Sequence, residues 1–206
     1  MFVATVTWEF KIVPTNPTLR FACVSDLEEY RELQHDPSST EVWYFEPITK
    51  LDAASEEAFE LLRFTVDGQA RPARRTTRAG TQLYSVNLGA ETIAAKRAVT
   101  VSYTYRVLVQ QHGHLLYLDI SRPTKGLKVQ FAYGNCGIRY VNVLDYIASS
   151  HTPRVAHLPA SDPSPSIVVG FDGWVFPKAG VAFVWVLERE MEATKAIGRR
   201  AHEARC

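Results

Sequence analysis

Two histidines, His112 and His114, stand on either side of Gly113. Side chains at i and i+2 of a strand point the same way, a spacing that suits two imidazoles on one metal. A third histidine near "PKAGVAF" would complete the set, and the sequence has none there. An incomplete ligand set argues against a metal. A solvated hairpin tip is therefore the preferred reading, and neither metal nor other cofactor is expected. Cys136, in "GNCGIR" beside Arg139, is the candidate nucleophile, because a positive neighbour stabilises a thiolate. His151 and His157 are candidate bases on a separate loop. A tight turn with a small residue explains the same letters and is preferred. There is no Gly-x-Ser-x-Gly, phosphate-binding P-loop or Rossmann fingerprint. Asp119 and Asp145 could flank a cleft, but their spacing fixes no separation.

Positive charge is concentrated in two places. "RPARRTTRAG" carries Arg71, Arg74, Arg75 and Arg78 with no acidic residue among them, and "SRPTKGLK" carries Arg122, Lys125 and Lys128. Guanidinium forks and the N–H groups of glycine turns can cradle phosphate or carboxylate. The expectation is an anion site with Arg122, Lys125 and Lys128 as one wall and Arg74, Arg75 and Arg78 as a movable second wall. Tyr133, Arg139 and Tyr140 would add planar and cationic surface suited to a nucleotide-like ligand. The competing explanation is that the charges keep edge strands from aggregating.

The elements that must position these residues are mostly strands. "AVTVSYTYRVLV" puts Val99, Val101, Tyr103, Tyr105, Val107 and Val109 on one face. The first segment alternates in the same way, from Phe2 to Ile12, and "RFACVS" is expected to pair with it. "DLEEYRELQ" reads as a short helix capped by Ser25 or Asp26, and Asp67-Gly68 as a hairpin turn. "QQHGH" reads as a hairpin turn into "LLYLDI", and "YVNVLDYIASS" as a short helix on the stripe Tyr140, Leu144, Ile147. The proline-rich stretch His151 to Ser166 reads as a long mobile loop. Asp172-Gly173 reads as a turn, and "VAFVWVLE", apolar on both sides, as a central strand. The fold class expected is mainly β: an antiparallel β-sandwich or flattened barrel of about ten strands. One or two short helices and a C-terminal helix complete it. Residues 1–188 form one β-rich domain in this reading, with a charged helix or tail at 189–206.

The 206 residues carry a net charge of +1, so no bulk pull toward nucleic acid or membrane is expected. Three cysteines without a Cys-x-x-Cys are not a disulfide framework and point to a reducing compartment. The start lacks a signal-peptide pattern, and the longest apolar run is too short to span a bilayer. A cytoplasmic protein is expected.

Four phrases, "VSYTYRVLV", "GHLLYLDISRPTKGLKVQFAYG", "IRYVNVLDYIAS" and "VGFDGWVFPKAGVAFVWVLE", carry a resemblance across Val99 to Glu188. They resemble the C-terminal, sensor-type region of bacterial helix-turn-helix (XRE-type) transcriptional regulators. No helix-turn-helix is read in these residues, so a DNA-reading part would lie on another chain. The resemblance implies no particular binding residue. The expected function is a non-enzymatic, regulatory ligand-sensing or protein-interaction domain. Its partner would be a small anionic ligand or a regulatory protein, with a homodimer as a further option. The alternative is a β-barrel enzyme, metal-dependent through His112 and His114 or thiol-dependent through Cys136.

Overall fold

The computed structural model describes residues 1–48, 50–149, 151–158 and 165–191. The chain divides into two compact units, Met1–Val109 and Gln110–Cys206, where the sequence reading ran residues 1–188 together.

The N-terminal unit runs β1 (Phe2–Ile12), β2 (Thr18–Val24), α1 (Leu27–His35), β3 (Ser39–Tyr44) and β4 (Phe59–Val66). It continues through β5 (Gln69–Ala70), β6 (Ala73–Arg78), β7 (Thr81–Asn87), α2 (Ala90–Ala94) and β8 (Val99–Val109). One sheet has the order β1-β8-β4-β5, the other β3-β2-β7-β6. The alternation of β8 is borne out: its six predicted inward residues are all buried. Phe21 on β2 meets Tyr103 on β8 edge-on, with ring centroids 4.8 Å apart. Tyr84 on β7 meets Phe59 on β4 at 5.9 Å. These contacts join the inner faces of the two sheets, the packing of a sandwich.

The pairing of the first strand differs from expectation. β1 lies antiparallel to β8, from Phe2↔Val109 to Ile12↔Val99. β2 is instead a central strand of the other sheet, parallel to β3 and antiparallel to β7. Its residues Phe21 to Val24 are all buried, so both of its faces are covered. Parallel neighbours need a crossover of about a dozen residues or more, and residues 25–38, which include α1, provide it. Asp26 caps α1 as expected, accepting from the N–H groups of Glu28 and Glu29. The Asp67-Gly68 turn also forms, with both residues at positive φ and Val66 paired to Gln69.

The C-terminal unit contains β9 (Leu115–Asp119), β10 (Thr124–Ala132), β11 (Ile138–Asp145), β12 (Arg154–Leu158), β13 (Ser166–Val175) and β14 (Gly180–Leu187). Its sheets have the orders β10-β13-β12 and β11-β14-β9. Phe131 on β10 stacks on Phe183 of β14 at 4.5 Å, so these sheets also share a core. β14 is central, as its two-sided apolar pattern requires.

Four local expectations are corrected. β11 is a strand rather than a helix, because its pairing with β14 leaves Val141 buried while Tyr140 and Leu144 face out. That period of two matches the sheet, and the helical stripe is accidental. β13 continues through Asp172-Gly173, paired with β10 before and after a register shift at these two residues. Part of the proline-rich stretch, Arg154–Leu158, is the edge strand β12, and residues 159–164 lie outside the described residues. "QQHGH" is no hairpin: β9 pairs with β14, not with β8. Residues 188–191 are helical, and the rest of the expected C-terminal helix lies outside the described residues. Among the described residues the sheets are mainly antiparallel and none closes into a barrel. No helix among them is long and apolar enough to cross a membrane.

Candidate metal centre

β8 ends at Val109, and the chain enters a single 3-10 turn, Gln111–Gly113. His114 closes the turn in the left-handed conformation, φ 53°, a region that histidine visits more readily than most residues. The turn is anchored by Trp185 near the end of β14. Its backbone N–H donates to His114 O at 3.1 Å, and its indole Nε1 donates to Gln111 O at 3.0 Å. Trp185 is buried, so the anchor sits in the core while the turn faces solvent.

Trp185 also fixes the imidazole. His114 Nδ1 lies 2.9 Å from Trp185 O. A carbonyl can only accept, so Nδ1 carries the proton and Nε2 of the neutral ring presents its lone pair. Metal-binding histidines are commonly held in this way by a backbone carbonyl. Nε2 faces Glu190 Oε1 at 3.3 Å. The other carboxylate oxygen of Glu190 accepts from Leu187 N–H at 2.9 Å, which ties the side chain to the end of β14. An imidazole lone pair facing a carboxylate repels it unless a cation joins them, either a proton on the ring or a metal.

His112 completes the group. Nε2 of His112 lies 3.3 Å from Arg189 Nη2, and a guanidinium can only donate. That nitrogen therefore also presents a lone pair. His112, His114 and Glu190 each offer one ligand atom, and the three atoms lie within 4.8 Å of one another. For bonds of about 2.0–2.2 Å to one metal, these side chains would have to draw in and Arg189 give up its contact with His112. His112 is exposed, and the other two are half-buried. Two imidazoles and a carboxylate suit zinc or a neighbouring divalent transition ion and leave positions open for water or ligand.

The two histidines were identified from sequence, but on a strand argument that does not hold, since His112 lies within a 3-10 turn and His114 closes it. Glu190 was missed. It is 76 residues away in sequence from His114, and only the β14 ladder brings it back.

The nine anticipated anion-site residues divide between the units. Arg74, Arg75 and Arg78 are on β6, and the other six lie between Arg122 and Tyr140 in the C-terminal unit. Arg74 is exposed. Arg75 is held at three nitrogens: Nε donates to Gln82 Oε1 (3.1 Å), Nη1 to Glu56 (3.0 Å) and Nη2 to Ala54 O (2.8 Å). It is a structural clamp rather than a movable wall. Arg78 pairs with Glu29. Arg122 lies in the β9–β10 loop, where its carbonyl accepts from Thr124 Oγ1. Tyr133 follows β10 and rests against Phe131. Arg139 sits at a register shift of β11, and Tyr140 beside it is exposed.

Lys125 and Lys128 do come together. They are three residues apart, which plain alternation would put on opposite faces. A bulge between Lys125 and Leu127 shifts the register, so that Lys125 opposes Trp174 and Lys128 opposes Gly170. Gly170 in turn opposes Arg154 on β12. Lys125, Lys128, Arg154 and exposed Trp174 thus share one outer sheet face, and open space lies above Gly170. Arg154 and Trp174 were not identified from sequence. Arg154 was hidden in a stretch read as loop.

Cys136 donates its thiol hydrogen to Tyr133 O at 2.9 Å, inside a turn with Asn135 and Gly137 at positive φ. This is the geometry of a tight turn. In comparisons with protein-family models, curated proteins and solved structures, nothing matches this chain.

Proposed function

We propose that the C-terminal unit is a binding module for a divalent transition metal, held by His112, His114 and Glu190, and that its role is regulatory rather than catalytic. The observation that carries the metal is the facing of the His114 Nε2 lone pair and Glu190, with Nδ1 already committed to Trp185 O. The ion would join the turn before β9 to the residues that follow β14, so that occupancy is expressed as the position of residues 188–191. The regulatory role is supported by the resemblance of Val99 to Glu188 to sensor-type regions, and a cytoplasmic setting by the cysteine usage. Titration with Co²⁺ tests the metal. One equivalent per chain should give the visible absorption of a nitrogen- and oxygen-ligated site. His114→Ala and Glu190→Gln should each lose it. A wild-type protein that takes up no Co²⁺ or Zn²⁺ at micromolar concentration would remove this reading.

A second reading is favoured by the β10-β13-β12 sheet. Lys128 and Arg154 flank Gly170, with Lys125 and Trp174 along the same face. Two cations over a glycine floor suit a phosphate or carboxylate, and the indole suits a planar group. Arg154 is paired with Asp172 at 2.7 Å, an exposed pair that an anion can rearrange at little cost. A thermal-shift screen of nucleotides on wild type and Lys128→Ala separates the readings, since a metal response should be identical in both proteins.

A further inference from the structure

We infer that Arg189 is a built-in competitor for the metal, so that ion binding at His112, His114 and Glu190 is an exchange of one cation for another. This rests on the metal reading above and adds to it a control. Arg189 Nη2 is 3.3 Å from His112 Nε2 and 3.3 Å from Gln111 Oε1. A metal ligated by His112 through Nε2 must lie about 2.0–2.1 Å from that nitrogen, along the same lone pair. That position is far inside contact distance of the guanidinium nitrogen. The two cations also repel each other. Arg189 must therefore leave before His112 can ligate.

The sequence position makes the exchange informative. Arg189 and Glu190 are neighbours on the same helical residues, yet they meet the metal in opposite senses. Arg189 covers one imidazole and must withdraw, while Glu190 faces the other and stays. Gln111 gives the guanidinium its second hold from the same turn. Without metal, the segment after β14 is held to the turn through Arg189 and Glu190 together. With metal, it is held through Glu190 alone, and a free guanidinium is released at the surface. The exchange also sets a threshold. Ions that prefer oxygen, such as Mg²⁺ and Ca²⁺, gain too little from imidazole to displace the arginine.

The test is Zn²⁺ affinity, measured by competition with a chromophoric chelator on the full chain. The proteins compared are wild type, Arg189→Ala, Arg189→Lys and His114→Ala. Arg189→Ala should bind Zn²⁺ at least tenfold more tightly than wild type. Arg189→Lys should fall between them, because lysine keeps the charge but not the planar fork. His114→Ala should not bind. On adding Zn²⁺ to wild type, the guanidinium resonance of Arg189 should move to the position of a solvated arginine. If wild type and Arg189→Ala bind with equal affinity, Arg189 is no competitor and the metal reading stands alone. If neither binds, both inferences fail. Arg189 is exposed, and an unchanged urea midpoint in Arg189→Ala checks that affinity, not folding, has been measured.

Discussion

Two polar clusters, one in each unit, look alike as composition and behave as opposites. In the N-terminal unit, buried Gln82 accepts from Arg75 Nε and donates to the carbonyls of Ala53 and Ser55, both at 2.7 Å. Arg75 adds Ala54 O and Glu56. Every one of these contacts pairs a donor with an acceptor, and the loop between β3 and β4 is fixed as a result. In the C-terminal unit, the Nε2 atom of His112 accepts from Arg189 and that of His114 faces a carboxylate. A network with matched donors and acceptors is part of the fold. One in which ligand atoms converge on a point is a place for a cation. The residue types alone favoured the opposite assignment: an arginine cluster as the binding site and a pair of histidines as surface.

The sharpest way to break this comparison is to remove Gln82. Gln82→Ala takes away the Gln82 partners of the Ala53 carbonyl and of Arg75 Nε, while the Ser55 carbonyl keeps the N–H of Ala58. Each buried group left unsatisfied costs about 1–3 kcal/mol, so urea unfolding should show a loss of about 3 kcal/mol or more. Arg75→Ala should cost about 1–2 kcal/mol by the same reasoning, with the exposed Glu56 pair contributing little. If Arg75→Ala is as stable as wild type, the clamp is not structural and the arginine returns as a ligand candidate.

The corresponding change in the other cluster should leave the metal-free fold almost untouched. His114→Ala, half-exposed, should move stability by about 0.5 kcal/mol or less. The difference should appear only with Zn²⁺. At a hundred times its dissociation constant, a bound ion stabilises the wild type by about 2.7 kcal/mol, and His114→Ala should show none of this. Because imidazoles must shed protons to bind, the stabilisation should fade on acidification. A Zn²⁺ effect that persists in His114→Ala would place the ion elsewhere.

A smaller effect should appear in acid. The N–H of Thr100 chiefly, with Arg97 beside it, holds the Asp67 carboxyl below its ordinary value of 3.8. The N–H of Ser38 chiefly, with its hydroxyl and Arg20, does the same for Asp36. A carboxyl lowered in the folded state binds fewer protons than in the unfolded state. Its contribution is complete above the ordinary value and is lost as pH falls through the folded one. Asp67→Asn should therefore lose this contribution at neutral pH, flatten the acid limb of the stability curve and converge on wild type at low pH. An acid limb as steep as that of wild type would show that the Thr100 contact is not formed.

The smallest effect concerns thiols. Burial, with Asp52 adding to it, pushes the Cys23 thiol up to about 12. At pH 8 it should resist iodoacetamide in the native protein and react only on unfolding, as peptide mapping would show. Native labelling of Cys23 would mean that the sheet around β2 opens easily.

What the sequence determined is what local pattern controls. The inward row of β8, the Asp26 cap, the Asp67-Gly68 turn, the central place of β14 and the mainly β class all follow from alternation and backbone preference within a few residues. His112 and His114 were visible for the same reason, as two ligand types close in sequence. Tertiary structure decided the rest, because it depends on which strands pair. Pairing with β8 took β1 away from β2. Pairing with β14 turned an apparent helix into β11. A one-residue register shift between β10 and β13 brought Lys125 and Lys128 to one face. Glu190 became a partner of His114 only because Trp185 draws the turn onto the end of β14. Hydrogen bonding then separated the charges that serve the fold from those left facing a gap. Nothing in the order of the letters marks that difference, since a donor is spent or free only once its neighbours are in place.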